Sequence, residues 1–232
     1  MSAFTVVKKE DLEAQNKEKF VQSLRSVTSE LGSLTQPDGS ASFSQGDTTA
    51  LAAVYGPADV KISKELIDRA TVEVIYKPKV GLPRPTDRKM ETIIKNTLEA
   101  AIIAINHPRS LILIVIQETE SSGSNFACCV NSACMALLDA AVGMHFMVAA
   151  VSTAVTEQGE LILDPVKRVE DEARAVLTFV FDSVSKNVVT VITSGRFSQD
   201  EYKKSLKLTQ QACDSVFSFY RDSLSKKLLK SA

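Results

Sequence analysis

The chain of 232 residues contains no tryptophan, only nine glycines and seven prolines, and almost no net charge. Few glycines and prolines, together with 44% hydrophobic and 24% charged residues, exclude collagen-like and disordered chains. The 27 basic and 28 acidic residues give a formal net charge of −1, so the whole molecule has no field that would draw it onto nucleic acid or acidic lipid. Any contact with RNA or DNA must therefore come from a local basic surface.

The first residues contain no apolar core long enough for a signal peptide, which indicates an intracellular, reducing location. Residues 1–24 are rich in charge and are predicted to form an N-terminal arm ahead of one folded domain at residues 25–232. The apolar stretch from Ala133 to Val155 is interrupted by polar residues and a glycine, which predicts core rather than a membrane span. No contact with a membrane is expected.

The cysteines do not have the spacing of a zinc site. They are Cys128, Cys129, Cys134 and Cys213, and none forms a pair separated by two residues. We therefore predict buried thiols, with no metal site and no cofactor.

Alternating apolar residues predict two clusters of strands, each leading into a helix. The first part of the chain is predicted to contain strands at Val27–Leu34, Ser40–Ser44, Thr49–Tyr55 and Ala70–Tyr76, a helix at Arg88–Ile105, a strand at Leu111–Ile116 and a helix at Asn125–Ala141. The second cluster is predicted at Met147–Thr156, Leu161–Leu163, Ala175–Phe181 and Asn187–Thr193. Ser198 and Glu201 then form a capping box that begins a long C-terminal helix. The pattern indicates an α+β fold with mostly antiparallel sheets.

Several acidic residues are candidates for chemistry. Asp47 follows a glycine at a strand junction, where an aspartate more often makes a turn hydrogen bond. Asp164 and Glu170, with Asp171 and Glu172, could hold a divalent ion for hydrolysis, because hard cations need clustered oxygens. A solvated acidic connector is the favoured interpretation of this cluster. Neither His107 nor His145 has a partner of the nucleophile–base type in the sequence.

Four segments carry a resemblance to a known family through their order and their strand, loop and helix settings. They are Gln36-Pro37-Asp38-Gly39-Ser40-Ala41, Gln45-Gly46-Asp47-Thr48 leading to Ala53-Val54-Tyr55-Gly56-Pro57, Asn106-His107-Pro108-Arg109, and Leu163-Asp164-Pro165 followed by Glu170. With the run from Ala127 to Leu137, they resemble the RNase PH family, and within it the RNase PH-like ring subunits of the eukaryotic RNA exosome. The resemblance covers about Leu24 to Leu224.

The resemblance implies a duplicated two-layer α+β fold whose members pair and then close into a six-membered ring around an RNA channel. In active members, phosphate attacks the last phosphodiester of the RNA 3′ end, held by Thr-Arg after a glycine at the start of the second helix. Here that loop reads Gly123-Ser124-Asn125-Phe126, so Asn125 removes the cation and Ser124 keeps one donor. The family's strand aspartate is also missing, since Ala175 to Phe179 contains no carboxylate. We therefore assign no catalytic residue.

The segment from Lys77 to Lys89 is the best candidate for contact with RNA. It carries five cations, Lys77, Lys79, Arg84, Arg88 and Lys89, against Asp87 alone. Composition by itself favours a solvated loop, but the resemblance places this region toward the RNA channel, where cations contact phosphates.

The resemblance implies a non-catalytic structural subunit that guides single-stranded RNA for 3′-to-5′ processing and degradation, including rRNA processing and RNA turnover. Expected partners are the other RNase PH-like ring subunits and the cap subunits of the exosome, in the nucleus, nucleolus and cytoplasm. One alternative is residual nuclease activity by a homodimer, by phosphorolysis with Ser124 or by metal-dependent hydrolysis at Asp164 and Glu170. Another is a protein scaffold without RNA contact, with the basic loop buried between subunits.

Overall fold

The computed structural model describes residues 23–231, whose nine strands form two sheets. The arm predicted for residues 1–24 therefore lies, apart from its last two residues, outside the described residues. The first sheet has five strands in the order β1-β2-β3-β5-β4. These strands are β1 (Val27–Leu31), β2 (Gly39–Gln45), β3 (Thr48–Asp59), β4 (Thr71–Lys77) and β5 (Ser110–Glu120).

The second sheet has four antiparallel strands in the order β7-β6-β8-β9. They are β6 (Val148–Val155), β7 (Leu161–Leu163), β8 (Ala175–Asp182) and β9 (Val188–Gly195). All eight residues of β6 are buried, because this central strand is covered on both faces. Strand β9 ends the sheet and is largely half-exposed or exposed.

The described residues also form two short 3-10 helices, at Ile62–Lys64 and Ala104–Asn106, and four α-helices: α1 (Pro85–Ala101), α2 (Asn125–Asp139), α3 (Lys167–Glu172) and α4 (Gln199–Ser231). Helix α1 packs on β4 and also contacts β9, while α4 packs mainly on β6 and β8. The predicted capping box is present, since Ser198 N–H donates to Glu201 and Glu201 N–H donates to the Ser198 hydroxyl. The chain thus has an α+β fold with mostly antiparallel sheets, as predicted.

Helix α2 lies between the sheets and forms the centre of the core. Every residue from Phe126 to Leu137 is buried, against β2 and β3 on one side and β6 on the other. Small side chains permit this close packing: a Cβ on Gly39 would lie 2.3 Å from the backbone nitrogen of Ala140. The buried side chain of Asn131 bonds to β6 as a neighbouring strand would. Its amide N–H donates to the carbonyl of Ala150 (3.0 Å), and its amide oxygen accepts the N–H of Ala150 (2.8 Å).

The stretch Ala133–Val155, predicted to be core, consists of the end of α2, a loop and β6. Among the described residues, no helix is long and apolar enough to cross a membrane.

Some elements begin or end at other residues than predicted, because local hydrogen bonds and turns set their bounds. Helix α1 was predicted over Arg88–Ile105, but it begins at Pro85, where the Asp87 carboxylate accepts the Arg84 N–H, and ends at Ala101. The chain then turns, and Ile102 forms an isolated bridge with Met144.

Strand β4 pairs in parallel with β5 because α1 crosses over between them. Strands β1, β2 and β3 pair in sequence order and antiparallel, in agreement with the predicted antiparallel sheet.

Candidate functional site

The loop that leads into α2 is held in a left-handed conformation against the segment after β7. Gly123 has φ +100°, and a Cβ there would lie 2.4 Å from the Pro165 carbonyl oxygen and 2.5 Å from the Lys167 nitrogen. Only glycine fits this close approach. Thr48 fixes the loop from the other side, since its hydroxyl donates to the Gly123 carbonyl (2.6 Å) and accepts the Ser122 N–H (3.2 Å).

Ser124, predicted to keep one donor for phosphate, has its donors bonded within the chain. Its backbone N–H donates to the Glu170 carboxylate (2.7 Å), and its hydroxyl donates to the Pro165 carbonyl (3.2 Å). Burial raises the pKa of Glu170, and the Ser124 N–H counteracts part of that rise. A carboxylate therefore occupies the N-terminus of α2, where an anion would otherwise be favoured.

Asn125, which the resemblance places at the position of the family's arginine, belongs to a partly buried polar network. Its amide donates to the Tyr76 hydroxyl (3.1 Å), and that hydroxyl donates to the Glu118 carboxylate. Burial and the Glu118 hydrogen bond raise the pKa of Tyr76. The Cys129 thiol lies 3.6 Å from the Asn125 amide oxygen. The network directs the Asn125 amide toward β4 and β5.

Sequence reasoning missed Tyr76 and Glu118. The signal for Glu118 was present, because it continues the buried series Ile112, Ile114 and Ile116 at a spacing of two. A carboxylate on the core side of a strand needs a partner, and Tyr76 on the neighbouring strand supplies it.

Asp164, a candidate metal ligand, forms a bidentate ion pair with Arg25. The Arg25 guanidinium donates to the two carboxylate oxygens of Asp164 at 2.8 and 2.7 Å. The Arg25 backbone N–H also donates to this carboxylate, at 3.1 Å. The Asp164 side chain is fully buried, and that of Arg25 is 17% exposed. Arg25 also donates to the carbonyls of Ser122 (3.4 Å) and Gly123 (3.3 Å), so the pair holds the loop before α2.

The four acidic candidates are bonded to groups of the chain, and two of them, Glu170 (4.0 Å) and Asp171, share Lys167. Glu170 binds the Ser124 N–H, Asp171 pairs with Lys167 (3.0 Å), and Glu172 pairs with Arg168 (3.2 Å). Within residues 23–231, no group of three or more His, Cys, Asp or Glu side chains could hold a metal ion. The prediction of a solvated connector fits Asp171 and Glu172, which are exposed on the short helix α3, but it is wrong for Asp164, which is fully buried.

None of the remaining candidates Asp47, His107 and His145 is buried. Asp47 is exposed in the turn between β2 and β3, His145 is exposed, and His107 is half-buried. Strand β8 ends in Asp182, whose carboxylate accepts the N–H groups of Val184 and Ser185, both at 2.6 Å. This carboxylate caps the turn into β9.

The four cysteines are free and buried, as predicted. Burial raises the pKa of Cys128 and of Cys134 to about 12, so neither thiol ionises near neutral pH. Both are structural core residues.

The predicted basic cluster lies where β4 ends and α1 begins. Its five members are exposed, and none forms an ion pair with a carboxylate of the described chain: Lys77, Lys79, Arg84, Arg88 and Lys89. By contrast, Lys64 pairs with Glu73 on β4.

The structure divides the basic cluster into two groups. Lys77, Lys79 and Arg88 line one cavity of about 460 Å³, whereas Arg84 and Lys89 lie outside its lining. Gln117 from the neighbouring strand β5 also lines this cavity.

Comparison with protein families identifies the class. Residues 23–143 match domain 1 of the 3′ exoribonuclease family, RNase PH, and residues 147–212 match its domain 2. The chain belongs to this family, which confirms the resemblance inferred from the motifs.

Individual relatives show which members of the family this chain is similar to. The chain is 33% identical to the Exosome complex exonuclease RRP46 homolog of Arabidopsis thaliana, over 85% of this chain and 90% of that protein. It is 28% identical to the Exosome complex component RRP46 of Saccharomyces cerevisiae, over 88% of this chain and 99% of that protein. The crystal structure of rice (Oryza sativa) Rrp46 superposes with a TM-score of 0.85 at 30% identity, covering 88% of this chain and 97% of that one.

Proposed function

We propose that this chain is a non-catalytic ring subunit of the RNA exosome that helps guide single-stranded RNA toward 3′-to-5′ processing and degradation. Relatives that match nearly along their whole length are named as exosome components, and this supports membership of that complex. One of those names includes exonuclease and another does not, so activity has to be argued from the site.

The observation that carries the proposal is the state of the loop before α2. A phosphate nucleophile carries more than one negative charge near neutral pH and needs fixed cations and donors. Here Asn125 is neutral and bonded to Tyr76, and the Ser124 N–H is bonded to Glu170. The loop residues therefore include no cation, and both donors of Ser124 and one amide hydrogen of Asn125 already have partners within the chain.

Guidance of RNA is supported by the five cations at the end of β4 and the start of α1, which have no carboxylate partner in the described chain. Such cations can neutralise phosphates without first breaking an ion pair. Contacts to phosphates position a strand without reading its sequence, as a channel for many RNAs requires.

The proposed partners are the other RNase PH-like ring subunits and the cap subunits, in the nucleus, nucleolus and cytoplasm, with rRNA processing and RNA turnover as the proposed processes. Open sheet edges support assembly. Strands β1 and β4 end one sheet and β7 and β9 end the other, and an unpaired edge favours association with another chain.

Two measurements test this proposal. The full chain, mixed with the other ring subunits, should enter a complex whose mass equals that of a six-membered ring. Alone, with single-stranded RNA and phosphate, it should release no nucleoside diphosphates. Release of diphosphates would support the phosphorolytic alternative, and release of monophosphates with Mg²⁺ would support hydrolysis at Asp164 and Glu170.

A further inference from the structure

The tip of the loop between β4 and α1 exposes two large aliphatic side chains. Val80 is 82% exposed and Leu82 is 89% exposed, on either side of Gly81 at φ +86°. A Cβ on Gly81 would meet no atom within 4 Å, so the tip projects freely. Neighbouring exposed aliphatic groups between basic residues are candidates for binding an apolar surface.

Only one of these two residues lines the cavity of about 460 Å³ described above. Leu82 lines it and Val80 does not. The apolar part of the lining also includes Ile75, which is 40% exposed. Pro78 and Pro83 from the same loop also line the cavity.

The lining of the cavity includes three cations, Lys77, Lys79 and Arg88, and one carboxylate, that of Glu91. The three cations have no ion-pair partner in the described chain, and Glu91 uses one oxygen to accept the Tyr76 N–H (3.0 Å). A ligand that suits this cavity therefore carries an anionic group beside an apolar face.

Two acceptor atoms in the lining have no partner among the described residues. Gln117 donates both amide hydrogens, to the carbonyls of Pro78 (3.1 Å) and Glu118 (3.0 Å), which leaves its oxygen without a donor. The second carboxylate oxygen of Glu91 is likewise without a donor. The cavity thus offers acceptors and favours a ligand with N–H donors.

We propose that this cavity holds one nucleotide of single-stranded RNA, with the base against Leu82 and Ile75 and the phosphate at Lys77, Lys79 and Arg88. Bases with an exocyclic amino group, which are adenine, cytosine and guanine, bind in preference to uracil, because the two hydrogens of that group can donate to both Gln117 and Glu91, whereas uracil offers the single N3–H. The inference deepens the proposed function and rests on it, since it assigns a base-contacting site to a surface proposed only to contact phosphates.

The test uses fluorescence anisotropy with the full chain and labelled twelve-nucleotide oligo(A), oligo(U) and an abasic strand of equal charge. The wild-type chain should bind oligo(A) roughly fivefold more tightly than oligo(U), and the abasic strand most weakly. Leu82→Ser should weaken oligo(A) binding about fivefold while leaving the slope of log K against log salt unchanged, because the net charge stays the same. Val80→Ser is the matched control, since it removes an equally exposed aliphatic group outside the cavity, and it should bind like wild type.

The other outcomes separate this inference from the proposed function. Equal effects of Leu82→Ser and Val80→Ser, or equal binding of oligo(A) and the abasic strand, would overturn the nucleotide site. If Leu82→Ser changed only association with ring subunits, the loop would be a protein interface and the site would again be wrong. If Lys79→Ala lowered affinity and salt slope while Leu82→Ser did nothing, guidance by phosphate contacts would stand alone. No RNA binding by the wild-type chain at 50 mM salt would overturn both.

Discussion

The carboxylate of Glu170 accepts the backbone N–H of Ser124 across 2.7 Å, although the two residues are 46 positions apart. The contact joins helix α3 to the loop that begins α2. In active relatives the resemblance assigns that loop to inorganic phosphate, so here a side chain of the protein holds the position of an anion. The same contact makes the structure of the loop dependent on the segment after β7.

We expect that Asn125→Arg alone will not produce phosphorolysis. The new guanidinium would lie beside the buried Tyr76–Glu118 pair, and the Ser124 N–H would remain bonded to Glu170. Strand β8 also offers no carboxylate between Ala175 and Phe179. The measurement is phosphate-dependent release of nucleoside diphosphates from single-stranded RNA, with a phosphate-free reaction as control. Sustained diphosphate release by this variant would contradict the expectation.

The Arg25–Asp164 pair should be a major stabilising contact. Asp164→Ala leaves the Arg25 guanidinium without its buried partner and should lower the free energy of unfolding by about 3–5 kcal/mol. Arg168→Ala removes an exposed pair with Glu172 and should change it by less than about 1 kcal/mol. Urea unfolding followed by circular dichroism measures both. Equal, small effects of the two variants would show that the buried pair contributes little.

The Glu170 contact should give stability a specific pH dependence. Because burial raises the pKa of Glu170 in the folded chain above its ordinary value of 4.5, its protonated form is favoured by folding. Its contribution is therefore fully present below the unfolded pKa and disappears as pH rises through the folded pKa.

Glu170→Gln keeps an acceptor for the Ser124 N–H and removes the charge. It should therefore be more stable than wild type at pH 7.5, and this gain should shrink as pH falls toward 4.5. Urea midpoints of the two proteins across that range test the prediction. If the stability of Glu170→Gln relative to wild type increased as the pH fell, the prediction would be contradicted.

Replacing the five cations of the basic cluster by alanine should weaken RNA binding by the assembled ring almost equally for all sequences. Removing one cation that binds a phosphate should reduce the slope of log K against log salt by about 0.7 for a single strand. A matched variant is Lys64→Ala, since Lys64 already pairs with Glu73 and should leave the slope unchanged. Affinity changes that differed between base sequences would mean that this loop reads bases.

The isolated chain should associate with itself, since its own sheet edges substitute for those of its proper neighbours. Residues Val188 to Ile192 of the outer strand β9 carry no charge to discourage pairing. Analytical ultracentrifugation at decreasing concentration should show a dimer or larger species. A folded monomer of 25.2 kDa at every concentration, with no binding to ring subunits on mixing, would contradict both this prediction and the proposed membership.

Secondary structure was largely predictable because the periodic placement of apolar residues is a local property. Strand β7 was predicted at its observed bounds, and the Ser198–Glu201 box placed the start of α4. Helix α1 was placed three residues late at its start and four residues late at its end, because the Arg84–Asp87 contact and the turn after Ala101 outweighed apolar periodicity. The parallel pairing of β4 with β5 required the crossover by α1, which periodicity does not reveal.

The sequence by itself determined the fold class, the absence of the arginine at Asn125 and the five cations near α1, since these depend on residue type and order. Only the tertiary structure decided that Asp164 binds Arg25, 139 positions away, that Glu170 binds Ser124, and that Leu82 shares a cavity with three of the five cations. A carboxylate has the same composition whether it binds a metal, a guanidinium or a backbone N–H. Its partner is set by which segments the packing of the two sheets around α2 brings together, and sequence spacing does not encode that distance.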